Sequence, residues 1–88
     1  MDAKELVAWN LRRLRVSRGL AQEALAVDAG IDRTYVSRVE RNMENPTVAV
    51  LDRLAVALGV PIVEFFAVPE AGAAPPDVLP KGRRKGSR

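Results

Sequence analysis

The chain has 88 residues, of which 48% are hydrophobic and 28% are charged, a composition that suits one small globular domain. It contains no cysteine and no histidine, which excludes disulfides, thiolate or imidazole metal sites and histidine-based catalysis. Its apolar runs are far shorter than the ~20 residues of a membrane span, and its N-terminus lacks the apolar region of a secretory signal, so a cytoplasmic protein is expected.

The net charge of +3 comes from one end of the chain. Five of the fourteen Lys/Arg residues lie within residues 81–88, whereas residues 1–80 carry nine Lys/Arg against eleven Asp/Glu, a net charge of −2. Residues 69–88 are rich in Pro, Gly and Ala and then become basic, so they bury too little apolar surface to offset the entropy lost on ordering. We therefore predict a domain of residues 1–68 and a disordered tail, whose basic end either attracts phosphates or only aids solubility.

The first predicted helix runs from Asp2 to about Ser17. Asp2 is placed to act as its N-cap, and Glu5 stands at the position that completes a capping box. Apolar residues repeat at helical spacing and predict a buried stripe of Val7, Leu11 and Leu14. Trp9 lies beside this stripe, and we expect its ring to be half-exposed.

Two short helices joined by a tight turn are predicted between residues 21 and 41. The first runs from about Ala21, whose methyl group cannot cap a helix, to Ala29. Gly30 follows as a left-handed helix-ending residue, and Asp32 can cap the second helix by accepting its free N–H groups. This arrangement is that of a helix-turn-helix motif.

The second helix of this motif has a polar half and an apolar half. At about 100° per residue, the apolar half carries Tyr35, Val36 and Val39, with Glu40 at its edge. The polar half consists of Arg33, Thr34, Ser37, Arg38 and Arg41. Guanidinium groups pair bidentately with guanine edges or phosphates, and hydroxyls can donate or accept, so this half is suited to the major groove of DNA. The solvated face of an ordinary surface helix would have a similar composition.

The ordered set of residues around this motif resembles the Cro and phage-repressor (xenobiotic-response-element) type of transcriptional regulator, and within it the controller proteins of restriction–modification systems. The matching residues are Gly19-Leu20, Gln22-Glu23, Leu25-Ala26, Ala29-Gly30-Ile31, Arg33-Thr34-Tyr35-Val36-Ser37, Val39-Glu40-Arg41, Asn45-Pro46-Thr47, Leu54-Ala55 and Ala57-Leu58-Gly59-Val60. The resemblance extends from about Leu6 to Phe66. It implies an all-α, five-helix, lambda-repressor-like domain that binds double-stranded DNA and uses no cofactor.

The resemblance also assigns roles to individual positions. An arginine at the position of Arg15 pairs in the family with the glutamate at the position of Glu40, which ties the first helix to the third. In relatives, the position of Gln22 and the loop that begins at Asn42 lie along the phosphate backbone, although Glu44 in this loop would repel a phosphate. Because Arg33, Thr34, Ser37 and Arg38 project from the polar half of the second motif helix, we expect them to contact base edges. We expect phosphate contacts from Gln22, Arg41, Asn42 and Asn45.

The last two predicted helices are more apolar than a small core requires. Thr47 is placed to cap a fourth helix that ends at Gly59, and Pro61 to begin a short fifth helix. The dense apolar residues of this segment are Val60, Ile62, Val63, Phe65, Phe66 and Val68. One phenylalanine is expected to close the core. Since surplus apolar surface usually marks an interface, we predict a dimer interface formed by Ile62, Phe65 and Phe66.

Two functions from different classes remain compatible with the sequence. The first is a sequence-specific transcriptional regulator, such as a restriction–modification controller. It would bind a palindromic operator as a homodimer and block or recruit RNA polymerase. The second is a protein-interaction module, such as an antitoxin-like partner that acts through Phe65, Phe66 and the tail. No catalytic residues, metal site or membrane contact are predicted, so an enzyme is not expected.

Overall fold

The computed structural model describes residues 1–76, and it confirms an all-α fold for them. The α-helices are α1 (Ala3–Ser17), α2 (Gln22–Ala29), α3 (Arg33–Glu40) and α4 (Val48–Leu58). The fifth predicted element, Ile62–Phe66, is a 3₁₀-helix rather than an α-helix. Its hydrogen bonds join residues three apart: the N–H of Glu64 donates to the carbonyl of Pro61 at 3.0 Å, and that of Ala67 to Glu64 at 3.4 Å. Five residues are enough for this tighter turn.

Helix α1 begins with the predicted capping box. The carboxylate of Asp2 accepts the N–H of Glu5 at 2.9 Å, and the carboxylate of Glu5 accepts the N–H of Asp2 at 2.9 Å. At the other end, Gly19 adopts a left-handed conformation with φ of 69°, which lets the chain leave the helix. The guanidinium of Arg18 then donates to the carbonyl of Leu58 at 2.5 Å, so a cation stabilises the C-terminal end of α4.

The hydrophobic core lies between the four α-helices and the 3₁₀-helix. The predicted stripe of α1 is buried, with Leu11 fully inaccessible to solvent. The other core side chains come from each remaining element and include Leu25, Ala26, Ala29, Val36, Val39, Leu51, Leu54, Ala55, Leu58 and Phe65. One small core therefore closes with contributions from every helix.

The prediction that Phe65 belongs to a dimer interface is wrong, because this side chain is 0% exposed in the core of its own chain. In a 3₁₀-helix, residues three apart share a face. Ile62 and Phe65 therefore both point towards the core, whereas Val63 and Phe66 are 66% and 41% exposed. Phe65 is thus the phenylalanine that closes the core, and Phe66 remains accessible.

A buried asparagine fastens the 3₁₀-helix to α1. Asn10 is 1% exposed, and its amide nitrogen donates to the carbonyls of Phe65 at 2.9 Å and Ala67 at 2.8 Å. Its amide oxygen accepts from Nε of Arg13 at 2.9 Å, and Arg13 also pairs with Glu64 at 3.3 Å. Every polar atom of this buried amide is thereby used, which avoids the penalty of an unpaired polar group.

Residues 67–76 continue past the 3₁₀-helix as irregular chain along α1. A turn at residues 71–72 is closed by the N–H of Ala73, which donates to the carbonyl of Glu70 at 2.9 Å. Residues 68–73 line clefts together with Trp9, whose ring is half-buried as predicted. This part of the predicted tail therefore has a defined path, and the rest of it, residues 77–88, lies outside the described residues. Within residues 1–76, the helices are too short or too polar to cross a membrane.

Candidate nucleic-acid interface

Helices α2 and α3 form the predicted helix-turn-helix motif. Gly30 ends α2 in a left-handed conformation with φ of 69°, and the N–H of Ile31 donates to the carbonyl of Ala26 at 3.0 Å. The carboxylate of Asp32 accepts the N–H of Thr34 at 3.2 Å and so caps α3. The glycine and the capping aspartate therefore define the turn that sets α3 against α2.

Burial divides α3 as the helical wheel predicts. Val36 and Val39 are buried in the core, which fixes the rotation of the helix about its axis. The opposite half reaches solvent: Arg33 and Thr34 are exposed, and Ser37 and Arg38 are partly exposed. All four side chains predicted to contact bases thus lie on the accessible side of α3, where their roles remain a prediction.

A buried ion pair joins α1 to the C-terminal end of α3, as the resemblance implied. Nε and Nη2 of Arg15 lie 2.6 Å and 3.0 Å from the two carboxylate oxygens of Glu40, and the side chains are 7% and 3% exposed. Arg15 also donates to the carbonyl of Leu20 at 2.7 Å. Such bidentate, charge-assisted pairing fixes both distance and orientation, so it holds α3 at one angle to α1.

The carboxylate of Glu40 also accepts a hydrogen bond from Gln22. The amide nitrogen of Gln22 lies 3.2 Å from Oε1 of Glu40, so its side chain is turned towards the ion pair. A phosphate contact by this side chain remains a prediction, and it would compete with this hydrogen bond. Gln22 begins α2, so its backbone N–H is available to an anion at the helix start.

The loop after α3 turns through a left-handed asparagine. Asn42 has φ of 59°, a conformation that asparagine tolerates better than most residues with a side chain. The N–H of Met43 then donates to the carbonyl of Arg38 at 2.8 Å, which closes the helix end. Arg41, Asn42 and Asn45 are exposed in this segment, which leaves their side chains accessible to a phosphate backbone.

Two carboxylates pair with arginines on the accessible side of α3. Nε of Arg38 lies 3.1 Å from Glu44, and its Nη2 donates to the carbonyl of Met43 at 3.1 Å. Nε of Arg33 lies 3.7 Å from Glu23, and both of these side chains are more than half exposed. The Glu23 contact was not predicted, since an acidic residue in the first turn of a helix has an ordinary role in stabilising the helix dipole.

Tyr35 lies between the core and this surface. It is half-buried against the core, and burial raises the pKa of its hydroxyl, with the carboxylate of Glu44 acting in the same direction. The phenol is therefore neutral at physiological pH and adds no negative charge beside the arginines. Within residues 1–76, acidic side chains form no cluster that could hold a metal ion. The accessible side of α3 and its loop carries the cations Arg33, Arg38 and Arg41 beside the carboxylates of Glu23 and Glu44, and its arginines suit binding to an anionic partner.

Comparison with known proteins identifies the motif. A helix-turn-helix family model, HTH_3, matches residues 11–65. The uncharacterized HTH-type transcriptional regulator y4dJ of Sinorhizobium fredii is 42% identical over 84 residues, which cover 96% of this chain and 100% of that protein. A hypothetical transcription factor of Neisseria meningitidis is 41% identical over 69 residues, or 78% of this chain, and the matched part spans 65% of the Neisseria protein.

A solved structure of a relative includes DNA. The restriction–modification controller protein C.Esp1396I, a tetramer in complex with its natural 35 base-pair operator, is 35% identical to this chain with a TM-score of 0.69. The alignment covers 75% of this chain and 87% of the controller chain. Since the family model matches more than half of the chain and the similarity includes both motif helices, the protein belongs to the helix-turn-helix family of DNA-binding transcriptional regulators and is similar to restriction–modification controllers.

Proposed function

We propose that the protein regulates transcription by binding a palindromic operator as a homodimer. The observation that carries the proposal is the division of α3, in which Val36 and Val39 are buried and the polar residues of the opposite half are accessible. The helix cannot rotate without exposing its valines. Only one face of α3 is therefore accessible to a major groove. That face carries the residues proposed to contact bases, Arg33, Thr34, Ser37 and Arg38.

Contact of Arg38 with a base requires it to leave Glu44 and the carbonyl of Met43. A partly exposed ion pair of this kind contributes about 1 kcal/mol or less, because water screens the charges and both side chains lose freedom. A bidentate contact with guanine discriminates against a wrong base by about 1–3 kcal/mol. The exchange from Glu44 to a guanine edge is therefore proposed to occur where the base is correct. Glu44 lowers the affinity of the free protein without preventing the contact.

Phosphate contacts are proposed for side chains of two elements that meet near the C-terminal end of α3. Arg41, Asn42 and Asn45 lie in the exposed segment after α3, and Gln22 lies at the start of α2. Contacts from two separate elements would fix the register of α3 in the groove, because phosphate contacts position a protein whereas base contacts specify the sequence.

A second copy of the chain is proposed to bind through the accessible apolar side of the 3₁₀-helix. Phe66 and Val63 share that side and are partly or largely exposed, and Ile62 lies half-buried next to them. A two-fold axis would apply the same surface to both subunits. It would place two α3 helices about one DNA turn, ~34 Å, apart, which matches two half-sites of a palindrome.

In this proposal, the protein acts only by occupying its operator. Bound protein either blocks RNA polymerase or contacts it, and no chemical step takes place. Similarity to C.Esp1396I supports the finer assignment as a restriction–modification controller. Genes for a methyltransferase and an endonuclease beside the gene for this protein would support that assignment, and their absence would leave a regulator of other genes.

Selection from a random duplex library tests the proposal directly. The full chain should enrich a motif of two inverted half-sites whose centres lie about 10 base pairs apart. Sedimentation of the complex should give two chains per palindrome. A control in which Arg33 and Arg38 are both replaced by alanine should retain the fold, because both side chains are accessible, and should fail to enrich the motif. Recovery of the random library without enrichment by the wild type would contradict the proposal.

A further inference from the structure

One arginine of α1 has a buried nitrogen atom without a hydrogen-bond partner. Arg12 is partly exposed as a residue, but its Nε is buried, and within residues 1–76 this atom donates to no acceptor. The ion pairs among these residues involve other arginines and leave Arg12 out. A buried donor without an acceptor destabilises a fold, so such a group in a folded domain calls for a functional reason. An acceptor supplied by another molecule would provide one.

The side chain of Arg12 lies in a cleft beside the loop that follows α3. Glu40 and Asn42 line the same cleft, so it joins α1 to the C-terminal end of α3. Asn42 is exposed, which leaves the cleft accessible from the side of the loop. The remaining lining includes the mostly apolar side chains of Ala8, Trp9, Pro75 and Pro76. Proline has no N–H group, so these walls offer an incoming acceptor few other donors.

The charges around the cleft favour an anion. The carboxylate of Glu40 is already occupied, because its two oxygens lie 2.6 Å and 3.0 Å from the guanidinium of Arg15. The other carboxylate in the lining, that of Glu5, accepts the N–H of Asp2 at the start of α1, where the helix dipole offsets its charge. Arg12 is therefore a cation without a matching anion in its surroundings. One DNA phosphate carries the single negative charge that would match it.

Arg12 and Asn42 together offer the donors that a phosphate group requires. A guanidinium donates through a planar fork of N–H groups and forms strong charge-assisted bonds with phosphate oxygens. The amide of asparagine adds up to two further donors. Asn42 is already a proposed phosphate contact, and Arg12 lines the same cleft. A phosphate bound by this loop would thus be the nearest anion to the unpaired guanidinium.

We propose that Arg12 and Asn42 bind one phosphate of the DNA backbone between α1 and the loop after α3. The inference rests on the proposed DNA binding and adds α1, as a further element, to the surface that contacts DNA. The buried pair of Arg15 and Glu40 already fixes α1 against the end of α3. A phosphate held at this junction would therefore set the register of α3 in the groove, which is the part that backbone contacts play in recognition.

The charge of Arg12 is tested by the salt dependence of binding to the selected palindrome. Each neutralised phosphate contributes about 0.9 to the log–log slope of affinity against salt, so Arg12→Gln should lower the magnitude of the slope by about 1.8 for a dimer. Arg12→Lys keeps the charge and should retain most of the slope. Arg53→Gln removes the same charge from an exposed position of α4 and should change the slope little. Equal slopes for Arg12→Gln and Arg53→Gln, with wild-type thermal midpoints in both, would overturn the proposal.

The shared phosphate is tested with operators that carry one neutral methylphosphonate linkage in place of a phosphate. Moving this linkage along a half-site should lower the affinity of the wild type at each contacted phosphate. Arg12→Gln should become insensitive at one of these positions, and Asn42→Ala should lose sensitivity at the same position, because both side chains bind one group. Arg53→Gln should keep the wild-type profile. An unchanged profile for Arg12→Gln, or different positions for Arg12 and Asn42, would contradict the shared site.

A free oxyanion is the other occupant that the cleft could take. Inorganic phosphate, added at constant ionic strength without DNA, would then raise the thermal midpoint of the wild type and leave that of Arg12→Gln unchanged. This result together with an unchanged methylphosphonate profile would assign the cleft to a small anion and overturn the contact with DNA. If the wild type selects no motif, the proposed function fails, whereas a selected motif with an unchanged profile rejects the Arg12 contact alone.

Discussion

Removal of the Glu40 carboxylate should destabilise the domain more than any surface change near the motif. In Glu40→Ala, the guanidinium of Arg15 loses its two contacts of 2.6 Å and 3.0 Å and keeps only the carbonyl of Leu20. Breaking a buried pair by removing one partner typically costs about 3–5 kcal/mol, because a charge remains buried without compensation. A domain of this size has a total stability of about 5–15 kcal/mol and shifts its midpoint by about 4–8 °C per kcal/mol. The thermal midpoint should therefore fall by roughly 12–40 °C, measured by circular dichroism and checked by urea denaturation.

Two further variants decide whether buried charge is the cause. Glu23→Gln breaks the exposed pair with Arg33 at 3.7 Å and should change stability by less than about 0.5 kcal/mol. The double variant Arg15→Met with Glu40→Leu replaces both charges by apolar groups and should recover much of the loss, since neither partner is left unpaired. A loss below about 1 kcal/mol in Glu40→Ala, or a double variant that is less stable than the single one, would refute the reasoning.

Three shorter predictions concern readout, assembly and pH. Arg38→Ala should weaken operator binding by about 1–3 kcal/mol and relax specificity at one base pair per half-site in a competition assay, whereas uniform weakening across sequences would make Arg38 a phosphate contact. Phe66→Asp should give a folded monomer by sedimentation equilibrium and abolish tight operator binding, and a dimer in this variant would exclude the proposed interface. The raised pKa of Tyr35 contributes stability that is fully present below pH 10.0 and is lost as the pH rises towards the folded-state pKa. Relative to Tyr35→Phe, the wild type should therefore lose stability in urea denaturation above about pH 10, and parallel curves would contradict the shift.

Local rules account for most of the secondary structure. The capping box of Asp2 and Glu5, the left-handed Gly30 and the capping Asp32 are all present in the structure as predicted. Each depends on groups no more than a few residues apart, so the sequence carries the full information for it. The two-sided character of α3 could be predicted for the same reason, since its period of 3.6 residues is a property of the backbone.

The orientation of the two phenylalanines could not be predicted in this way. A period of 3.6 and a period of 3.0 diverge by only about 60° over three residues, which is too little to detect in a segment of five. Whether Phe65 or Phe66 enters the core depends on this phase and on the space left by α1 and α4. Asn10 was missed for a related reason: asparagine is usually exposed, and its partners Phe65 and Ala67 are 55 and 57 residues away. Long-range partners of a single polar residue leave no local pattern.

The position of α3 depends on features that could be predicted from the sequence and also on features that could not. The valines fix its rotation, Asp32 fixes its start, and the pair of Arg15 with Glu40 fixes its end relative to α1. In the proposed complex, a helix held at three points would lose little freedom on binding, so more of the contact energy with DNA would appear as affinity. The buried pair would then contribute to the proposed DNA binding through orientation, although both of its side chains are buried. Conversely, Arg33 and Arg38 lie on the accessible side, where their side chains can exchange exposed carboxylates for a base edge without disturbing the core. The fold thus separates the groups that position α3 from the groups proposed to read the sequence, and substitutions in the two sets should affect stability and specificity independently.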